Sequence, residues 1–217
     1  YLEPALQRKD GIAALRNRAD ALKSLLTVED QFRAETGYEG KIIQKRHHDC
    51  HIASAFFPSG FDDALVCSID GVGEFDTAAF WVGDQRGLVD LNLAWSYPMS
   101  LGLMYSAVTD FLGWKHHCDE GIIMGLAPYG DEHAKIPGHA DETYSHIFAK
   151  MARLDNDGQL KLELDWFAFH REHSVWVSDK FRKYFGPGRQ KNEEVSQHHK
   201  NIAAALQSLT EQIVLQR

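Results

Sequence analysis

The sequence predicts a domain that mixes helix and strand, of the α/β or α+β class. Three observations carry this expectation. Between residues 64 and 95, three short β-prone runs are joined by turn residues, the pattern of an antiparallel meander. Apolar stripes at helical spacing flank the meander on both sides. With 217 residues, 44% of them hydrophobic and 25% charged, the chain can bury a substantial core as one large domain or two small ones.

Taken in order, Ile12, Leu15, Leu22 and Leu26 share one helical stripe. Thr27 is placed to cap a second helix through about Glu35, with Gly37 as its stop. Lys41 to Arg46 reads as a short strand leading into the run HHDCH, and His51 to Phe57 as a helix ended by Pro58, Ser59 and Gly60. The meander follows: Ala64 to Asp70 (ALVCSID), a glycine-containing turn over Gly71 to Glu74, Thr77 to Gly83 (TAAFWVG) and Leu88 to Trp95. A helix is expected over Leu101 to Leu112, stopped by Gly113, and then a buried glycine-rich loop from Gly121 to Gly130. Beyond it the pattern gives a helix near Asp141 to Met151, a strand near Leu160 to Leu164, and a helix near Ser178 to Phe185 broken by Gly186, Pro187 and Gly188. A last helix runs from about Glu194, with Ile202, Leu206, Leu209 and Ile213 on its apolar side.

The net charge of −8 argues against a nucleic-acid surface built on bulk charge, leaving only a local basic patch around Arg182, Lys183, Arg189 and Lys191 to consider. No apolar run reaches the roughly 18 residues a membrane span needs, and the start has no signal-peptide pattern. The three cysteines, Cys50, Cys67 and Cys118, form no spaced framework, so a reducing, cytoplasmic location is expected.

Twelve histidines are the unusual feature, and they cluster at His47-His48-His51, His116-His117 and His198-His199. His47 and His51, four apart on a helix, would share one face and could both reach one metal ion. Isolated pairs at this spacing are common, and local packing explains them equally well. His48 and Cys50 point elsewhere. Asp70 ends a strand and is followed by Gly71, Gly73 and Glu74. Such a turn brings backbone N–H groups close to a ligand, while the carboxylate can hold a metal or orient a hydroxyl. It also suits an ordinary hairpin. Ser100 can cap the next helix, and Gly102 permits close approach of a backbone or a phosphate. His116 to Glu120 could make a second metal site, although consecutive residues rarely converge on one centre.

Order and wording add what spacing leaves open. The run HHDCHIASAFFPSGFDDALVCSIDGVGEFDTAAFW, then YPMSLGLMYSAVTDFLGW, then EGIIMGLAPYG, closely resembles the NodU/CmcH family of O-carbamoyltransferases. The closing helix, NIAAALQSLTEQIV, is also similar to the family's. The likeness covers about residues 43 to 130 and the last twenty or so. The resemblance implies a lobe of the actin-like, sugar-kinase ATPase fold with ribonuclease H-like halves, a mixed sheet and flanking helices. It implies that carbamoyl phosphate and ATP give carbamoyl-adenylate, whose carbamoyl group passes to a hydroxyl of a small molecule such as an antibiotic or nodulation factor. It also implies iron or another divalent metal at His47 and His51 with Asp70 at or beside it. Asp70 is then the catalytic acid residue of the set, and Gly71, Gly73, Glu74, Ser100 and Gly102 lie against the nucleotide.

Three departures shape the expectation. The family's opening strand with its Asp/His motif is not found here, nor is its second half with the glycine-rich phosphate loop and a late metal-binding Asp. Ile122 stands where a Lys is usual. The chain is therefore expected to be a partial N-terminal domain, inactive alone, whose partners are the rest of the same protein, including its carbamoyl-phosphate-activating part, and a hydroxyl acceptor. Residues 131–190 carry no motif that anchors them to the family and are expected to be a variable insertion. Trp166, Phe167, Phe169, Trp176 and Tyr184 within it read first as core and second as an acceptor lining. Two other readings stand beside this one: a binding scaffold that kept the fold without the chemistry, and a relative that carbamoylates tRNA or a maturation protein.

Overall fold

The structure is a computed structural model that describes residues 26–171 and 174–216. The helix expected over residues 12 to 26 lies outside this range, apart from its last residue. The described residues up to Lys45 and those from Arg46 onward belong to two different compact units. In the first, helix α1 (Val28–Thr36) ends at Gly37, whose left-handed backbone (φ 68°) returns its N–H to the Arg33 carbonyl. Thr27 precedes the helix as expected but makes no side-chain cap. Residues 41–46 are irregular, not a strand.

The second unit opens with α2 (His47–Phe56). This helix starts four residues earlier than the sequence suggests and takes in the whole HHDCH run. The meander is as expected: β1 (Ala64–Ile69), β2 (Asp76–Asp84) and β3 (Gly87–Ser96) form one antiparallel sheet in the order β1-β2-β3. Leu65 opposes Val82 and Ile69 opposes Ala78, while β2 pairs β3 through Ala78 opposite Trp95, with irregularities near Asp76 and Phe80. Among the described residues every strand pairing is antiparallel, so the mixed sheet expected for the lobe is not formed by them.

The two faces of this sheet are covered differently, which follows from the twofold alternation of its side chains. On one face Val66 packs with Ile52 and Phe56 of α2, flanked by Trp81 and Leu88. On the other, Ala78, Phe80 and Trp95 join the main core. That core is built on α3 (Leu101–Phe111), buried along nearly its whole length. Ser100 caps it by accepting the Leu103 N–H.

Residues 120–129 depart from expectation. They form helix α4 (Glu120–Leu126) and a 3₁₀ turn (Ala127–Tyr129) rather than a loop. Its glycines, Gly121 and Gly125, stand four positions apart, and Ile123 between them is fully buried in the core. The helix interior costs about 1 kcal/mol per glycine, and burial of that side chain returns roughly 2 kcal/mol.

The remainder holds two hairpins, β4 (Lys135–Ile136) with β5 (His139–Thr143), and β6 (Ala152–Leu154) with β7 (Leu160–Leu162), and the helices α5 (Tyr144–Ala149), α6 (Asp179–Phe185) and α7 (Gln197–Leu215). The helix expected from Asp141 is thus split, its first part being strand. Trp166, Phe167 and Trp176 are buried, and Phe169 and Tyr184 pack against the same core. Arg189 is no part of a basic surface patch: it is buried, donates to the Leu112 and Glu193 carbonyls and stacks 3.9 Å from the Trp114 ring. Among the described residues no helix is long and apolar enough to cross a membrane.

Candidate metal centre and ligand cavity

The starting point is the helical pitch of α2. His48, Ile52 and Phe56 recur every four residues and form its buried stripe. His47 and His51 form the next stripe, one step around the helix, and this stripe overhangs the end of β1 where Asp70 sits. The three side chains converge. His47 Nε2 lies 2.7 Å from Asp70 Oδ2, His51 Nε2 lies 3.0 Å from His47 Nε2, and His51 Nε2 lies 3.4 Å from the same Asp70 oxygen.

The donor set tests well against a metal. Two ligands about 2.1 Å from one ion, at angles of roughly 90–110°, lie about 3.0–3.4 Å apart, as His51 does from both His47 and Asp70, while His47 and Asp70 stand closer, at hydrogen-bonding distance. Two imidazoles and one carboxylate leave positions open for another ligand. Among the described residues this is the one group of three or more His, Cys, Asp or Glu side chains so disposed. All three are half-exposed, so an ion can enter. Residues 116–120 do not converge in this way. His116 pairs with Asp110 at 3.2 Å, and Glu120 accepts from Ser106 and from the His117 N–H, both at 2.6 Å.

The turn after β1 fixes Asp70. Its N–H donates to the Thr77 carbonyl, the Gly73 N–H donates to the Asp76 carbonyl, and the Gly71 N–H donates to Asp70 Oδ1 at 2.6 Å. Burial pushes the Asp70 carboxyl up, but the His47 hydrogen bond and the Gly71 N–H outweigh it. The net effect holds it below the usual carboxylate range, ionised as a metal ligand must be.

Gly102 illustrates why sequence alone left two options. A Cβ there would lie 2.6 Å from the backbone of Asp70 and Gly71. The close approach is therefore that of a backbone: the first turn of α3 presses on the end of β1. Ser100 belongs to the same joint. Its buried hydroxyl donates to the Gly71 carbonyl at 2.5 Å while accepting from Leu103. Gly73 lies under α2, where a Cβ would meet His47 and His48 at 3.1–3.2 Å. Glu74 accepts the His47 N–H at 3.1 Å, placing a carboxylate at the positive end of α2. Its own backbone N–H, with a lesser part from that of His47, holds it below the usual range against the opposing effect of burial.

A cavity of about 490 Å³ opens beside Asp70, within the size range of small-molecule sites. Asp70, Gly71 and Gly102 form one wall, and Tyr105, Ser106, His117, Glu120, Met124 and Thr210 contribute to the others. Of the residues expected at a nucleotide, Gly71 and Gly102 line it, while Gly73, Glu74 and Ser100 support the wall from outside. Burial, with the charges of Glu120 and Glu211, pushes the Tyr105 phenol up, so it stays neutral and donates to Gln207 at 2.9 Å. The sequence marks His117 and Glu120 only as candidate metal ligands, and Tyr105 and Ser106 only as parts of a longer run; that the four line one cavity depends on contacts between α3, α4 and the segment joining them. A larger hollow of about 570 Å³ lies near Phe57, Phe61 and Arg86, away from this chemistry.

Fold and site together define a class: a mixed α/β domain with a candidate metal and ligand site at one end of its main sheet. Residues 15–217 match the family described as the carbamoyltransferase N-terminus, so the chain belongs to the NodU-type carbamoyltransferase family and corresponds to its N-terminal part. It is 37% identical over 177 residues to an uncharacterised protein of Synechocystis, a match covering 80% of this chain and 27% of that protein. It is 33% identical over 170 residues to the nodulation protein NolO of Bradyrhizobium diazoefficiens, covering 77% of this chain and 27% of the relative. The nodulation protein NolNO of Sinorhizobium fredii is likewise 33% identical over 170 residues, with 77% and 22% covered. The chain thus spans about a quarter of the length of these curated relatives.

Proposed function

We propose that this chain supplies the metal-holding half of an O-carbamoyltransferase site, in which a carbamoyl group passes from carbamoyl-adenylate, made from carbamoyl phosphate and ATP, to a hydroxyl of a small natural product. The observation that carries the reading is the convergence of His47, His51 and Asp70 beside a cavity, in a chain of this family. His47 and His51 would hold iron or another divalent ion through Nε2, and Asp70 through Oδ2. Such an ion supplies Lewis-acid polarisation of a carbonyl oxygen and offsets charge as the acceptor attacks. Asp70 is held ionised by its hydrogen bond with His47 and by the Gly71 N–H on its second oxygen. Gly71 and Gly102 give the reactant a wall without side chains. Glu74, Gly73 and Ser100 hold the turn and the two helices in place around it.

The meander and its helices are read as part of an actin-like ATPase fold, completed by further parts of the same protein that close the site. Residues 131–190 are read as the segment that varies between relatives. Cys50, Cys67 and Cys118 form no disulfide among the described residues, and the protein is read as cytoplasmic. The test is carbamoyl transfer by the full-length protein, given carbamoyl phosphate and ATP, to a panel of hydroxylated natural products. Transfer should fall at least about 100-fold in His47→Ala, the range for loss of a group that stabilises transition-state charge. Unchanged transfer in that variant would sink the reading. A binding scaffold of the same fold would give no transfer from the wild-type protein.

A further inference from the structure

The middle residue of the histidine run is absent from the metal-binding convergence, yet it is the most enclosed of the three. His48 is 3% exposed. Its Nε2 lies 2.9 Å from the Asp76 carbonyl and its Nδ1 lies 2.7 Å from Ser68 Oγ. A carbonyl can only accept, so Nε2 carries the proton. Nδ1 shares a hydrogen bond with the Ser68 hydroxyl. Both nitrogens are committed, which removes His48 from any ligand role.

Its two partners are informative. Ser68 lies on β1 two residues before Asp70, and Asp76 begins β2, on the other side of the turn that carries Asp70. His48 therefore bridges both legs of the hairpin, and it is adjacent in sequence to His47. Below it on the same stripe, Ile52 and Phe56 pack against Val66. Those apolar contacts are non-directional and leave a helix free to slide or roll by a fraction of an ångström. Metal sites tolerate only about 0.2 Å in ligand distance. Two hydrogen bonds to fixed backbone and strand positions supply the missing direction, and Gly73 beneath the ring admits the close approach.

We infer that His48 is the positioning residue of the His47–His51–Asp70 triad: it locks the helix bearing the two imidazoles onto the hairpin bearing the carboxylate. This rests on the metal reading proposed above. It also explains why three histidines in five residues divide into two ligands and one clamp.

The test is titration of the full-length protein with Co²⁺ alone, read by its visible absorption, with thermal unfolding followed in parallel. His48→Leu keeps the apolar stripe but removes both hydrogen bonds. It should weaken Co²⁺ binding about 10–100-fold, as loss of outer residues around metal ligands does, while the protein still unfolds cooperatively. His48→Gln keeps a donor for the Asp76 carbonyl and should recover affinity to within about threefold of wild type, on the same scale. If His48→Leu binds as tightly as wild type while His47→Ala does not bind, the clamp is wrong and the metal reading stands. If His47→Ala also binds like wild type, the metal reading falls and the clamp with it. If Gln fares no better than Leu, hydrogen bonding is not what places the triad and the inference is overturned. Should His48→Leu fail to fold, Ser68→Ala decides: weakened Co²⁺ binding in a folded protein supports the clamp, and wild-type affinity refutes it.

Discussion

Two helices of this protein begin with adjacent histidines, and the two pairs have opposite surroundings. His47 and His48 open α2, and His198 and His199 stand in the first turn of α7. In α7 both rings are spent inside the fold. His198 donates from Nε2 to the Phe185 carbonyl at 2.8 Å and accepts the Tyr144 hydroxyl on Nδ1. His199 is buried and completes a capping box with Ser196, accepting its N–H on Nδ1 at 3.1 Å. In α2 only His48 is spent in this way. His47 turns an exposed Nε2 toward a carboxylate and a second imidazole. Residue type is the same in both places, and the helix positions differ by one residue. The difference lies in whether the ring nitrogens meet backbone and hydroxyl partners or a carboxylate and another imidazole.

The largest effects should separate the two regions crosswise. Asp70→Asn should lower Co²⁺ affinity on the order of 100-fold, about 2.7 kcal/mol, and leave stability within about 0.5 kcal/mol because the side chain is half-exposed. His198→Ala should do the reverse. It strands the Tyr144 hydroxyl and the Phe185 carbonyl, and should cost about 2–3 kcal/mol in denaturant unfolding with Co²⁺ affinity unchanged. If His198→Ala loses the metal, the contrast between the two helix starts is broken.

A smaller effect is expected at the α7 cap alone. Ser196→Ala removes the acceptor for the His199 N–H and should cost about 1 kcal/mol in the same unfolding measurement.

The smallest effect is in pH dependence, where the two regions act in separate windows. Burial, with the charges of His198 and Arg189, holds the His199 ring below the ordinary value of 6.5, and Asp70 lies below its ordinary 3.8. For both, protonation favours the unfolded chain, so stability is present above the ordinary value and is lost as pH falls through the folded one. His199's share begins to fade below 6.5 and Asp70's only below 3.8. Asp70→Asn should remove just the lower limb, a change of about 0.2–0.5 kcal/mol given its exposure to solvent, in unfolding followed across the acid range. Loss of the upper limb instead would mean that the assignments are reversed.

Legibility followed the range of the interactions. The meander was readable because β-prone runs and turn residues are local signals, and α3 because Ser100 and an apolar stripe mark it. The helix over 120–129 was missed because Gly121 and Gly125 argue locally for a loop, whereas Ile123 is paid back only by a core assembled from distant elements. The start of α2 was placed late for a similar reason. His47 and His48 are ordinary helix formers, and what stabilises that first turn is Glu74 at its N-terminus and the hairpin under His48, twenty or more residues away.

The sequence by itself determined the histidine spacing, the Asp70 turn and the family likeness, because each is a pattern in neighbouring residues. It also set the split of α2 into two stripes, once the helix was granted, since 3.6 residues per turn leave no choice. Tertiary structure alone decided that His47, His51 and Asp70 meet and that His48 is clamped. It decided too that Gly102 receives a backbone and that Glu120 and His117 share a cavity with Asp70. Those outcomes depend on how a helix seats on a hairpin to within a fraction of an ångström, and packing and directed hydrogen bonds between distant segments set that distance.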